Sequence, residues 1–254
     1  MPRCLRLEQT LEEESLSVEA NKAPPTPNIL KGSRSNPPPK RRLLLLAALA
    51  LTTKALANDH NNLERGRPLL FDDAYSIAYG EREFQLGFNQ ASNNPGISSS
   101  FGFGFAKNEE FSVGFDATRG TSNLYELSYF RNLAREIGNA PAFGFRLTGN
   151  SMPGRKPSGT ARFIATKAWH QYDKLHLNLD LSTNQSPGVI LGYSNPIGYP
   201  RRFDQTMLAE IAFQPKQTSA GLGMRQQVSP RSVLDVGVHF GRQLRFTIGY
   251  SFSF

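Results

Sequence analysis

From residue 82 to its last residue the chain trades apolar residues with small or polar ones at every second position. The final stretch is the clearest. Leu244, Phe246, Ile248, Tyr250, Phe252 and Phe254 fall on one face, and Arg245, Thr247, Gly249, Ser251 and Ser253 fall on the other. Period two is the side-chain period of a β-strand. About ten such residues make one tilted pass through a bilayer. Strands cross lipid only when closed into a barrel, because an open edge would leave backbone N–H and C=O groups unpaired in hydrocarbon.

The same alternation recurs upstream. Phe84, Leu86 and Phe88 open the series, then Phe101, Phe103 and Phe105, then Phe111, Val113 and Phe115. Tyr125, Leu127 and Tyr129 follow, then Phe143, Phe145 and Leu147. Ala161, Phe163, Ala165 and Trp169 form a sixth run, broken by Lys167. The seventh sets Leu175, Leu177, Leu179 and Leu181 against His176, Asn178, Asp180 and Ser182. Runs eight to eleven centre on Leu191, Ile211, Leu222 and Val236. Asn-, Gly-, Pro- and Asp-rich separators divide them, among them Ser92–Gly96, Arg119–Asn123, Asn195–Asp204 and Pro215–Gln217; these are turn formers. In a soluble sandwich the second face of each strand would carry Lys and Glu. Here it is mostly Gly, Ser, Thr and Asn with scattered charge, Ile164, Ile190 and Leu208 excepted. The pattern predicts an all-β transmembrane antiparallel β-barrel of about 12 strands over residues 82–254, an even count with both ends periplasmic.

The closing run also resembles the last strand of bacterial outer-membrane barrels. That resemblance implies an assembly strand of Phe246, Ile248, Tyr250, Phe252 and Phe254, with the barrel assembly machinery and outer-membrane lipid as partners.

Upstream of residue 82 the composition changes. Residues 1–39, with Glu12-Glu13-Glu14 and prolines at 24, 25, 27 and 37–39, cannot build a core; they read as an extension that is untranslated or disordered. Lys40-Arg41-Arg42, the apolar run Leu43–Leu51 and the small-residue site Ala55-Leu56-Ala57 read as a signal peptide over 40–57, cut between Ala57 and Asn58. Residues 58–81 read as a periplasmic lead-in. The formal net charge is +8. Residues 1–57 hold nine Lys/Arg and five Asp/Glu, and residues 58–254 hold twenty and sixteen, so each part carries +4. Spread over the longer part, that surplus does not point to nucleic acid. Cys4 is the single cysteine, which excludes a disulfide framework, a thiolate nucleophile in the barrel and a cysteine metal site.

Charge on the inward face marks candidate lumen-lining residues: Asp116, Glu126, Arg146, Arg162, His176, Asp180, Glu210, Arg225, Asp235, His239 and Arg245. Such a set either pairs with itself and fills the lumen, or lines a path and sets its selectivity. Inward glycines such as Gly104, Gly192 and Gly237 either leave room or serve sheet curvature. His176, Asn178, Asp180 and Ser182 share one face, but a polar strand face produces such a set by default, and a triad is a matter of geometry. The four histidines lie far apart without an HExxH pattern, so no metal site is assigned. No cofactor and no catalytic residue is expected.

The lead-in carries Arg67-Pro68-Leu69 and Asp72-Asp73-Ala74, then Gly80 and Phe84-Gln85-Leu86. In these residues the chain resembles the outer-membrane proteins named for the MetA pathway of phenol degradation. It departs from their pattern at Phe71, where a small hydroxyl residue is usual, and at Gly87, where an acidic residue is usual. The resemblance implies uptake of small compounds, aromatic or hydrophobic among them. The expected role is passive, porin-like transport across the outer membrane. The alternatives are a barrel enzyme acting on lipids or esters, and a sealed structural barrel.

Overall fold

The computed structural model describes residues 68–91, 94–170, 172–197, 205–215 and 217–254. The extension, the signal peptide and the Ala57/Asn58 cleavage site lie outside them. Twelve strands run in chain order: β1 (Arg82–Ala91), β2 (Asn94–Ala106), β3 (Glu109–Thr118), β4 (Leu124–Ala134), β5 (Ala142–Ser151) and β6 (Ser158–Ala168). They continue as β7 (Lys174–Ser182), β8 (Gly188–Ile197), β9 (Gln205–Gln214), β10 (Gln217–Ser229), β11 (Ser232–Phe240) and β12 (Arg245–Ser253).

Every strand pairs antiparallel with its sequence neighbours, and β12 returns to β1, closing the barrel. The seam sets Phe84 opposite Phe252, Leu86 opposite Tyr250 and Phe88 opposite Ile248. Beyond it the Phe254 and Arg82 backbones exchange two hydrogen bonds of 2.9 and 3.2 Å. Closure leaves no open edge, which is the condition for crossing lipid with strands. β1 begins and β12 ends at one mouth, here the near mouth; the β1–β2 and β11–β12 connections lie at the far mouth.

Alternation sets what each face meets. On β7, Leu175, Leu177, Leu179 and Leu181 are exposed on the outside, while His176 and Asn178 are buried inside. Phe84, Phe101, Phe111, Leu127, Phe143, Ile211, Val236 and Ile248 continue the outer apolar belt. Lys167, which interrupts the sixth run, sits at the near mouth. Its ammonium reaches Glu136 in the β4–β5 connection at 2.6 Å and donates to the Gly138 carbonyl at 2.6 Å. The Glu136 carboxyl is held below the usual range: burial opposes this, and the Lys167 bond with the Ala168 N–H outweighs it.

The strands depart from the sequence reading at several ends. β2 begins at Asn94, so Pro95 and Gly96 pair with Gln90 and Asn89 where a turn was expected. β8 runs on to Ile197, β10 starts at Gln217, and β6 stops before Trp169. Turn formers mark a reversal of the chain without fixing its residue, because cross-strand pairing carries them into the ladder.

The larger correction concerns the lead-in. Residues 68–78 do not stay outside the barrel: they run inside it. Leu69, Phe71, Ala74 and Ile77 are each 0–1% exposed. Four apolar side chains in eleven residues have a burial requirement, and the inside of the barrel meets it.

Candidate functional site

The lumen is shared between the segment 68–81 and an open cavity. At the near mouth the segment turns into β1: Gly80 N–H donates to the Gly104 carbonyl at 2.7 Å, and Gly104 N–H donates to the Glu81 carbonyl at 3.0 Å. A side chain at Gly104 would lie 2.2 Å from the Ala78 carbonyl oxygen. Only a residue without a Cβ lets the two backbones approach so closely. From there, going back along the chain, the segment crosses the lumen to Pro68. The Pro68 carbonyl lies 3.0 Å from His239 Nε2 and accepts from the Thr247 hydroxyl at 2.8 Å. Those two residues flank the β11–β12 connection, so the segment climbs from the near mouth toward the far one.

Inward side chains take over the hydrogen bonds that a strand partner would give. Glu210 accepts from the N–H groups of Leu70 and Phe71 at 2.6 and 3.2 Å. Asn178 accepts from Asp72 N–H at 2.6 Å and donates to the Asp72 carbonyl at 2.9 Å. Ala74 N–H donates to the Thr166 hydroxyl, the Asn132 amide donates to the Ala74 carbonyl, and Glu110 accepts from Ile77 N–H. A buried backbone without such partners would cost heavily.

Charge fixes the middle of the segment. One Asp72 carboxylate oxygen lies 3.3 Å from Arg146 Nε and 3.1 Å from Arg162 Nη1. Arg162 also grips both oxygens of Asp180, at 2.6 and 2.7 Å, and donates to the Leu70 carbonyl at 2.8 Å. Arg146 stands 3.6 Å from Glu110 and lies over the Phe130 ring at 5.0 Å. Around this clamp the apolar side chains form two clusters. Leu69 and Phe71 pack with Ile190, Leu208 and Ala212, and Ala74 packs with Phe130, Ala142 and Ile164. Ile164, Ile190 and Leu208, the apolar residues out of phase in the sequence, are therefore the wall against which the segment lies. The inward glycines give room for the chain itself: a Cβ at Gly192 would fall 2.5 Å from the Phe71 ring, and one at Gly237 would fall 2.6 Å from the Pro68 carbonyl.

All eleven charged or histidine candidates lie on the inner face, in three settings. Arg146, Arg162, Asp180, Glu210, His176 and His239 hold the segment or its wall. Arg225 and Asp235 form a buried pair, Nε to Oδ1 at 2.7 Å, across β10 and β11. Asp116, Glu126 and Arg245 face the open cavity. His176 is not brought to a carboxylate. Its ring nitrogens lie 3.1 Å from the Thr166 hydroxyl and 3.0 Å from the Ser194 hydroxyl, and Phe71 covers the ring at 4.7 Å. Asp180 is taken by Arg162, so the polar face of β7 forms no Ser-His-carboxylate array.

The cavity has a volume of about 270 Å³ and lies between the segment and the walls of β1 to β4 and β12. Asn89, Ser98, Ser100, Asp116, Glu126 and Arg245 line it, over a floor that includes Gln85 and Leu70. Asp72, Asn178 and Glu110 were absent from the sequence-derived site, as were Ser98 and Ser100. The out-of-phase apolar residues were the one signal that pointed toward an occupant.

Solved structures place this architecture. A KdgM porin superposes with a TM-score of 0.59 at 11% identity, covering 68% of this chain and 99% of that one. A second structure of that porin, in complex with disordered oligogalacturonate, gives the same values. A NanC porin gives a TM-score of 0.51 at 7% identity, covering 67% and 98%. The fold is that of outer-membrane porin barrels. No protein-family model matches the sequence, and no curated protein matches it either.

Proposed function

We propose that this chain is an outer-membrane barrel through which small polar solutes pass passively, with the segment 68–81 setting the width of the passage. The observation that carries the reading is the cavity beside the segment, whose charged and hydroxyl side chains face water and not a packed core. Passive passage needs such a wet, weakly binding wall. The resemblance to the phenol-degradation proteins suggests aromatic or hydrophobic solutes, whereas the charges and hydroxyls of Asp116, Glu126, Arg245, Ser98 and Ser100 around this cavity suit polar ones. On this reading the near mouth is periplasmic, signal removal precedes assembly, and the aromatic end of β12 is what the assembly machinery engages.

The segment itself favours a second reading, a sealed structural barrel, because its ion pairs and hydrogen bonds fill the lumen beside the cavity. Planar-bilayer conductance separates the two. A porin-like barrel gives small steps in its native form and larger ones when the segment is loosened. A barrel that stays silent in both forms is a sealed one, and the transport reading fails.

A further inference from the structure

The cavity beside the segment carries opposite charges on two of its sides. Asp116 on β3 and Glu126 on β4 form one side, and Arg245 at the start of β12 forms the other. Across the strands Asp116 stands three spacings from Arg245 and Glu126 four, roughly 14 and 19 Å along the wall. Inward side chains shorten that gap, and Arg245 lies within electrostatic reach of Glu210, on the segment side, and of Asp116, across the cavity. Between them, Asn89, Ser98 and Ser100 offer neutral donors and acceptors. Thr118 already donates to one Asp116 oxygen at 3.0 Å. On the basic side Arg245 Nη2 stands 3.3 Å from His239 Nε2. Its Nε is buried and has no hydrogen-bond partner among the described residues. A guanidinium that lines a cavity suits a carboxylate, which accepts charge-assisted hydrogen bonds from its terminal nitrogens.

We propose that this cavity binds small zwitterions of the free amino acid class, with the carboxylate on Arg245 and the ammonium between Asp116 and Glu126. A ligand with both charges satisfies both walls at once. A simple anion leaves the two carboxylates facing each other, and a simple cation leaves the cavity side of Arg245 without an acceptor. The volume of about 270 Å³ admits a molecule of that size. The inference names a solute class for the proposed passage and rests on that reading for transport, though not for binding.

The test uses the barrel extracted from outer membranes into detergent, with serine, propionate, ethylamine and glycerol as probes. Calorimetric titration should show serine binding about tenfold more tightly than propionate or ethylamine, a difference of about 1.4 kcal/mol for the second charged end. R245Q should bring serine down to the level of ethylamine, and the pair D116N and E126Q should bring it to the level of propionate. Equal binding of serine, propionate and ethylamine by the native barrel overturns the inference without any variant, and so does the absence of serine binding. Liposome swelling separates the two proposals. Glycerol entering without any binding of serine keeps the porin reading and removes this one. Serine binding to a barrel that passes no solute keeps the site and removes the porin reading.

Discussion

Replacing Asp72 with Ala tests what holds the segment in the lumen. Asp72 is 1% exposed and stands between Arg146 and Arg162. Removing one partner of a buried ion pair costs about 3–5 kcal/mol, since the other charge stays buried without compensation. Arg162 keeps Asp180 and Arg146 keeps Glu110 and Phe130, so the low end applies, about 3 kcal/mol. With the segment out of the lumen both arginines face water and lose nothing from the substitution. The full cost therefore falls on the inserted state. The ratio of inserted to released segment drops by roughly 150-fold, at 1.4 kcal/mol per factor of ten. The barrel wall does not depend on Asp72, so heat-modifiable gel mobility should still report a closed barrel. Planar-bilayer recordings should then show larger and more frequent openings in Asp72→Ala than in the native protein, with Asp72→Asn between them. A closed barrel with native conductance would mean that the segment does not limit passage.

Four further outcomes are expected. Gly192→Val should displace the Phe71 ring, at about 1–3 kcal/mol for overpacking, and conductance should rise; in a Phe71→Ala background the same substitution should have little effect. Leu179→Arg, on the lipid face, should cost about 2–4 kcal/mol in folding into bilayers, whereas Ser98→Arg, facing the cavity, should leave folding in urea titrations near native. Deleting Phe252–Phe254 removes the Phe84–Phe252 pairing and the Phe254–Arg82 backbone bonds; fractionation should find the truncated chain secreted but not inserted. The lowered carboxyl of Glu136 contributes stability above its unfolded value near 4.5, and this is lost as pH falls through the lower folded value; amide protection factors across 136–140, corrected for intrinsic exchange, should fall on acidification there, and Lys167→Met should weaken that pH dependence.

The barrel was legible because period two is a local property that repeats. Leu175 to Ser182 shows inside and outside in eight consecutive residues, and closure follows from the need to leave no edge in lipid. The occupant of the lumen was not legible in the same way. Phe71 and Asp72 meet partners 74 to 139 residues away, from Arg146 to Glu210, and no spacing along the chain announces such contacts. Traces existed. Ile164, Ile190 and Leu208 broke the phase of their strands toward the inside, where a water-filled lumen has no use for them. The Asp72-Asp73-Ala74 motif could be noticed without its role, because its meaning lies in two arginines on β5 and β6. The cavity was half legible: Asp116, Glu126 and Arg245 were singled out as inward charges, but only the three-dimensional arrangement separates them from the eight that are already engaged.

A cylinder whose contents belong to the same chain raises a question of order in time. The seam that closes the cylinder, β12 against β1, joins residues about as far apart along the barrel's sequence as any two can be. A cord can enter a finished hoop only end-first, by threading. Otherwise it must already lie across the strands when the hoop is fastened. Residues 68–78 touch inner faces from β2 to β12, and each of those faces exists before the final seam does. The segment can therefore act as a mandrel: the growing sheet bends around it, and the buried Phe71, Leu69 and Ile77 favour the curvature that brings the two free edges together. What looks like an obstruction in the finished protein is, on this view, the former on which the cylinder was rolled.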